Sequence, residues 1–400
     1  MSPDPLANLR RITQVHEGRS GLGYIPALDG LRAIAVGGVL MFHALPNVIT
    51  GGFLGVSSFF TLSGFLICTL LLSELAATDT VDLGAFWARR VKRLAPAALV
   101  VTVAAIVFTK TPWAGWGEGM QPSDGVAAAL NVMNWHVIHL PADQVLRVLG
   151  PLGPYWSLGV EEQFYAVMLI VFLVLRRRPA SAAGNLAALC VGTWVGSAAL
   201  AIVLHRDHPR EMFGTDVRAA ELAAGCLLAI VIHQRGRAFL AAPSTTGRSI
   251  QIAGWIGLTI TIVAFIWGDE DQRWVRAGGF AALSIVHVVV ISATLAGGSM
   301  ARVLASRPLV ELGKLSYALY LVHWPIILSL RADRLHLDGG GLDTWLLTII
   351  RISVSLAAAI ALNRLVERPM RHHWSASNRT VIVTWIAGTA AVSLLAVALL

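Results

Sequence analysis

The sequence predicts an all-α fold, a polytopic bundle of transmembrane helices, and three observations predict it. Only 14% of the 400 residues are charged and 56% are hydrophobic, whereas an average soluble domain is about 25% charged. The mean hydropathy is +0.68, and the apolar residues fall into about eleven blocks of roughly 18–24 residues, the length that crosses a bilayer. Finally, arginine and lysine cluster in alternate connections. With the N-terminus taken as cytoplasmic, segments 10–19, 89–93, 176–178, 235–248, 302–307 and 364–379 hold the basic residues and the other loops far fewer, the positive-inside pattern. The net charge of +8 therefore reports topology and implies no nucleic-acid partner. Disorder is excluded by the hydrophobicity. A disulfide-stapled domain is excluded because Cys68, Cys190 and Cys226 are odd in number and lie in apolar blocks, where they read as small buried hydrophobes.

The elements follow in order. Residues 1–23 form a cytoplasmic segment carrying Arg10, Arg11 and Arg19, with no apolar core and small-residue site of a cleaved signal peptide. The predicted spans are 26–45, 52–75, 94–110, 157–175, 183–204, 218–234, 251–267, 276–297, 313–330, 343–363 and 380–400: ten helices of a core and an eleventh. No internal repeat is evident. The one long external loop, 111–156, carries Trp113, Trp116, Trp135 and Trp156 among prolines and glycines, which suits an interfacial or re-entrant segment at an acceptor entrance. The eleventh span is an uncharged run that stops at Leu399-Leu400. Natural chains seldom end flush inside a bilayer, so a chain cut short before an external domain is expected, with a naturally short protein as the alternative.

Charges inside spans cost about 2.5–3.5 kcal/mol each, so those retained need a reason. The first span holds Arg32 and, after ten intervening residues, His43. Eleven steps of about 100° return to within roughly 20° of the same face, some 16 Å further along the axis. Arg32 and His43 thus share one stripe, placing a fixed positive charge toward the cytoplasm and a titratable base toward the outside. Taken singly, Arg32 also suits snorkelling to the headgroups and His43 an interface histidine.

Several blocks then resemble the acyltransferase-3 family of membrane O-acyltransferases. They are Tyr24–Ala33 leading to His43, Gly52–Val56 with Phe59–Ile67, Phe86–Pro96 with Arg90-x-x-Arg93, Trp156–Tyr165, Gly214–Arg218, Leu315–Pro325 and Glu367-Arg368-Pro369. The resemblance spans about 24–371, which is read as the acyltransferase domain. Ser57 stands where many members of the family carry an aspartate, so no charge is assumed there.

The resemblance implies transfer of an acyl group from cytoplasmic acyl-CoA, a co-substrate and not a bound cofactor, to a hydroxyl of an extracytoplasmic glycan, in the inner membrane with lipid around it. An alcohol needs a base to become a nucleophile, and neutral imidazole serves at pH 7. His43 is the expected base, with Glu161 or Glu162 as its orienting carboxylate. Arg32 is expected to bind a CoA phosphate or stabilise the oxyanion. Arg90 and Arg93, three apart on one helical face, are expected to clamp CoA phosphates with Arg89 and Lys92 beside them, although four basic residues there also serve as topological anchors. Ser157, Tyr165, Arg218, Ser316, Tyr320 and His323 are expected to line the pocket. Arg218 is expected to pair with Asp216 or reach the cavity, His287 to be a satisfied structural histidine, and Glu367, beside Arg368 at the cytoplasmic end of the tenth span, to form an ion pair with the basic loop.

No metal site is expected: His136 with His139 and His372-His373 lack third ligands. Gly18-x-x-Gly21-x-Gly23 has the wrong spacing for a phosphate loop, and no Gly-x-Ser-x-Gly segment occurs. Acylation of a small acceptor such as a macrolide, and a transporter of acyl groups or lipid-linked glycan, are the alternatives. A transporter would be marked by inverted repeats, and none is evident.

Overall fold

Pro26 fixes φ at the start of helix α1 (Pro26–Ala44), the first element of a computed structural model that describes residues 23–114, 120–140, 150–176, 179–204, 209–236, 245–335, 337, 340–372 and 374–400. The predicted features at Arg10, Arg11, Gly18, Arg19, Gly21, Trp116, Arg177, Arg178, Arg237 and His373 lie outside these residues. A single turn at Gly52–Leu54 leads into α2 (Gly55–Thr78), which Asp79 ends in a left-handed conformation with φ of 54°.

Helix α3 (Leu83–Phe108) begins well before the predicted start at 94. Asp82 caps it, accepting from the Ala85 amide at 2.9 Å. The alanine, arginine and lysine that follow are strong helix formers, so the basic run 89–93 is helical and not the loop expected from its charge. Pro96 lies inside this helix.

The predicted outer loop contains two short helices, α4 (Pro122–Ala129) and α5 (Met133–Ile138). Then come α6 (Tyr155–Leu175), α7 (Pro179–Leu204), α8 (Thr215–Arg235), α9 (Thr245–Trp267), α10 (Phe280–Leu295), α11 (Arg307–Lys314), α12 (Ser316–Ser329), α13 (Gly341–Leu362) and α14 (Asn378–Leu399).

Among the described residues, nine helices are long and apolar enough to cross a membrane. Two of the eleven predicted spans differ from the rest. The span 218–234 is helical within α8 but carries Arg218 and Glu221; the span 313–330 breaks at Leu315 between α11 and α12. Both are inner helices. Most of α8 is buried, and α12 buries Ser316, Tyr320 and His323. A helix walled by other helices escapes the lipid and so tolerates charge and a shorter apolar run.

Helices α2 and α8 touch backbone to backbone. A Cβ on Gly64 would lie 2.0 Å from the Leu222 carbonyl, and one on Gly225 would lie 2.0 Å from the Thr61 carbonyl. Small residues allow this close approach, which in a bilayer supplies packing where the hydrophobic effect supplies little. Gly225→Val is therefore expected to cost about 1–3 kcal/mol or more by overpacking, read as loss of the monodisperse peak in detergent size-exclusion chromatography. The three cysteines are free and buried, as expected, with Cys226 Sγ donating to the Gly64 carbonyl at 3.3 Å.

Candidate functional site

A single cavity collects most of the predicted site. Arg32 from α1, Arg90 and Arg93 from α3, Ser157, Glu161, Glu162 and Tyr165 from α6, and Ser316 and Tyr320 from α12 all line it. Ser63 of α2, Thr102 of α3, Asn131 just beyond α4 and Tyr317 of α12 add to the polar lining.

The arginine side is crowded with positive charge. Arg32, Arg90 and Arg371 all act electrostatically on Arg93, and Glu367 feels Arg93, Arg32 and Arg371. The Arg90 guanidinium lies 3.7 Å from the centroid of the Tyr165 ring, a cation–π contact, and its buried Nε has no partner among the described residues. Like charges gathered in a low dielectric repel strongly, so an anion entering here relieves the repulsion.

Glu161 accepts from Ser63 Oγ at 3.0 Å and from Tyr165 Oη at 2.7 Å. Arg90 acts electrostatically on Glu162. Tyr320 Oη and Ser157 Oγ are 2.7 Å apart, and both reach the Pro154 carbonyl, at 3.0 and 3.2 Å. The predicted face of Ser316, Tyr320 and His323 is thus divided, its first two residues on the cavity and His323 one turn beyond.

His43 does not line this cavity, and neither Glu161 nor Glu162 is brought to it. It is held by His323 instead: His323 Nε2 and His43 Nδ1 are 3.1 Å apart. The hydrogen-bond network assigns the tautomers. His323 Nδ1 lies 2.8 Å from the Tyr320 carbonyl and 3.1 Å from that of Leu319. Carbonyls only accept, so Nδ1 carries the proton and the neutral ring offers Nε2 as an acceptor. His43 Nδ1, also 3.0 Å from the Val39 carbonyl, must then be the donor. Its Nε2, with no hydrogen bond among the described residues, then carries the lone pair, the form a general base requires. A neutral imidazole thus does the orienting expected of a carboxylate.

The other predicted residues lie elsewhere. Arg89 is exposed and pairs with Glu74 at 3.3 Å. Lys92 donates to the Ala376 carbonyl at 3.5 Å. Both point away because successive helix positions turn by about 100° and only 90 and 93 share the cavity face. Arg218 is buried away from the cavity and pairs with Glu221, at 2.6 Å, and not with Asp216, which Arg210 takes at 2.5 Å. Glu367 accepts from Asn363 at 2.5 Å and Arg368 donates to Asn363 at 2.9 Å; Glu367 meets the basic run electrostatically, through Arg93, with no direct bond to it among the described residues. His287 bonds Ser58 at 2.9 Å, but its buried Nδ1 has no partner among the described residues, so it is only half satisfied there. His136 pairs with Asp124 at 2.7 Å.

Sequence reasoning missed Ser63, Trp87, Asn131, Tyr317 and Trp385, all in the cavity lining. Ser63 alone carried a signal, as a polar residue in the middle of an apolar span.

A family model described as an acyltransferase domain matches residues 25–364. The O-acetyltransferase OatA of Staphylococcus aureus strain NCTC 8325 / PS 47 is 35% identical over 359 residues, which cover 87% of this chain and 57% of that protein. OatA of strain COL gives the same values, and SACOL0978 of that strain is 32% identical over 358 residues with the same coverage. The chain thus spans little more than half the length of these relatives. No solved structure matches it.

Proposed function

This chain belongs to the acyltransferase family matched over residues 25–364, and from that premise we propose that it is an integral-membrane O-acetyltransferase acting on a cell-envelope glycan. The donor is cytoplasmic acetyl-CoA and the acceptor a glycan hydroxyl presented on the outer side of the inner membrane, with the N-terminus cytoplasmic. The acetyl group and the glycan are taken from the likeness to OatA and from the family; the orientation rests on the distribution of arginine.

One observation carries the reading. Arg32, Arg90 and Arg93, from two helices, converge on a cavity that reaches Tyr320, one helical turn from the His43–His323 pair. Phosphate oxygens of the donor pair with the guanidinium groups, and the thioester lies toward Ser157 and Tyr320. His43 Nε2 takes the proton of the acceptor hydroxyl as its oxygen attacks the thioester carbon. A guanidinium or hydroxyl of the lining stabilises the oxyanion. The C–S bond then breaks, and CoA leaves as the thiol once its thiolate takes up the proton released from His43, which returns the base to its neutral form.

Arg90→Ala tests the donor side. Losing a charge-assisted contact of about 1.5–3 kcal/mol should raise KM for acetyl-CoA about tenfold or more while kcat falls less. CoA release by purified protein measures both. A fall in kcat at constant KM would overturn the assignment of Arg90 to donor binding.

A further inference from the structure

Two tryptophans line the arginine side of the cavity, Trp87 and Trp385. Their rings are near-parallel, 12° apart in plane with centroids separated by 6.3 Å. Trp87 precedes Arg90 by three residues on α3, hence lies on the same face with about 4.5 Å of helical rise between them. Phe86 packs edge-on against it at 6.0 Å.

Trp385 comes from α14, beyond the matched segment 25–364. That helix is seated firmly on α3. Val381 is fully buried in a cluster with Ala88 and Val91. Gly388 packs beside Leu99, where a Cβ would lie 3.2 Å from Leu99 Cδ1. Both indoles are half-buried. Tryptophans at a membrane boundary ordinarily meet lipid headgroups; these two face a cavity beside a guanidinium cluster.

Aromatic faces next to guanidinium groups recognise a purine nucleotide, whose base stacks while its phosphates take the charge. We infer that Trp87 and Trp385 form the stacking surface for the purine base of the acyl donor, so that α14 is part of the donor site. The inference rests on the proposed acetyl-CoA reading and goes beyond it by naming a subsite built from outside the matched domain.

The test uses the full chain in nanodiscs with three probes: adenosine 3′,5′-bisphosphate, acetyl-CoA and S-acetylpantetheine, which lacks the nucleotide. Trp385→Leu, which keeps apolar bulk but no ring, is expected to weaken bisphosphate binding about tenfold, whereas Trp385→Phe keeps it within about twofold. The ratio of kcat/KM for acetyl-CoA to that for S-acetylpantetheine should fall about tenfold in Trp385→Leu by the same loss of stacking. Unchanged bisphosphate affinity, or equal losses with both acetyl donors, would overturn the stacking role. If Trp385→Leu does not fold, Trp87→Leu is read the same way. Wild-type protein that binds neither acetyl-CoA nor the bisphosphate would instead overturn the donor reading, and the inference with it.

Discussion

His43→Ala is expected to lower kcat by about 10²–10⁴-fold, the usual contribution of a positioned general base, while KM for acetyl-CoA changes little. The split follows from position: His43 lies outside the arginine-lined cavity and so contributes nothing to holding the donor. His323→Phe should give a smaller loss, because it removes the acceptor that fixes the His43 tautomer but leaves the base itself. Without His323 Nε2, His43 Nδ1 still has the Val39 carbonyl at 3.0 Å, so part of the productive tautomer survives. CoA release with and without acceptor measures all three proteins. Unchanged turnover in His43→Ala would sink the catalytic assignment. A greater loss in His323→Phe than in His43→Ala would transfer the role of base to His323.

The separation of Arg32 and His43 was legible from the helical repeat alone, since eleven residues of rise put some 16 Å between them. That spacing suits the proposed arrangement, with an anionic donor held at one end and a general base at the other. The identity of the His43 partner was not legible. His323 lies 280 residues away, and local sequence does not encode which of several polar residues meets it in the packed bundle. The expectation favoured Glu161 and Glu162 because a carboxylate is the common orienter; in the structure Ser63 and Tyr165 occupy Glu161 instead.

Most of the bundle could be read from hydropathy because lipid-facing helices must be apolar along their length. The reading weakened where protein replaces lipid as the neighbour. Helix α8 carries a buried ion pair, and α11 and α12 share one predicted span; their boundaries depend on the helices around them. The start of α3 is hidden from hydropathy for a related reason. Charge ends an apolar block without ending the helix, which extends beyond the apolar slab with its basic residues still helical. Trp385 offered no signal at all, since an indole in an apolar run looks the same whether it meets lipid or a cavity.

Glu221→Ala is expected to destabilise the protein by about 3–5 kcal/mol, because it strands a buried cation. Arg218 and Glu221 are 1% and 0% exposed. The guanidinium donates to Glu221 at 2.6 and 3.1 Å, to the Met212 carbonyl at 2.9 Å and to Ser57 Oγ at 3.3 Å, and it stacks 3.8 Å from the centroid of Phe280. With serine at position 57, Glu221 supplies the carboxylate, so its removal leaves the charge with neutral partners only. The penalty belongs to the orphaned charge more than to the loss of the pair. Replacing both residues by apolar ones, Arg218→Met with Glu221→Leu, should therefore recover much of the stability lost in the single variant. Thermal unfolding in detergent, followed by loss of the monodisperse fraction, compares the two proteins with wild type. A Glu221→Ala protein as stable as wild type would show that Arg218 finds its counter-charge elsewhere. A double variant worse than the single one would show that the pair itself, through its bonds to Ser57 and Met212, fixes how α8 docks on α2.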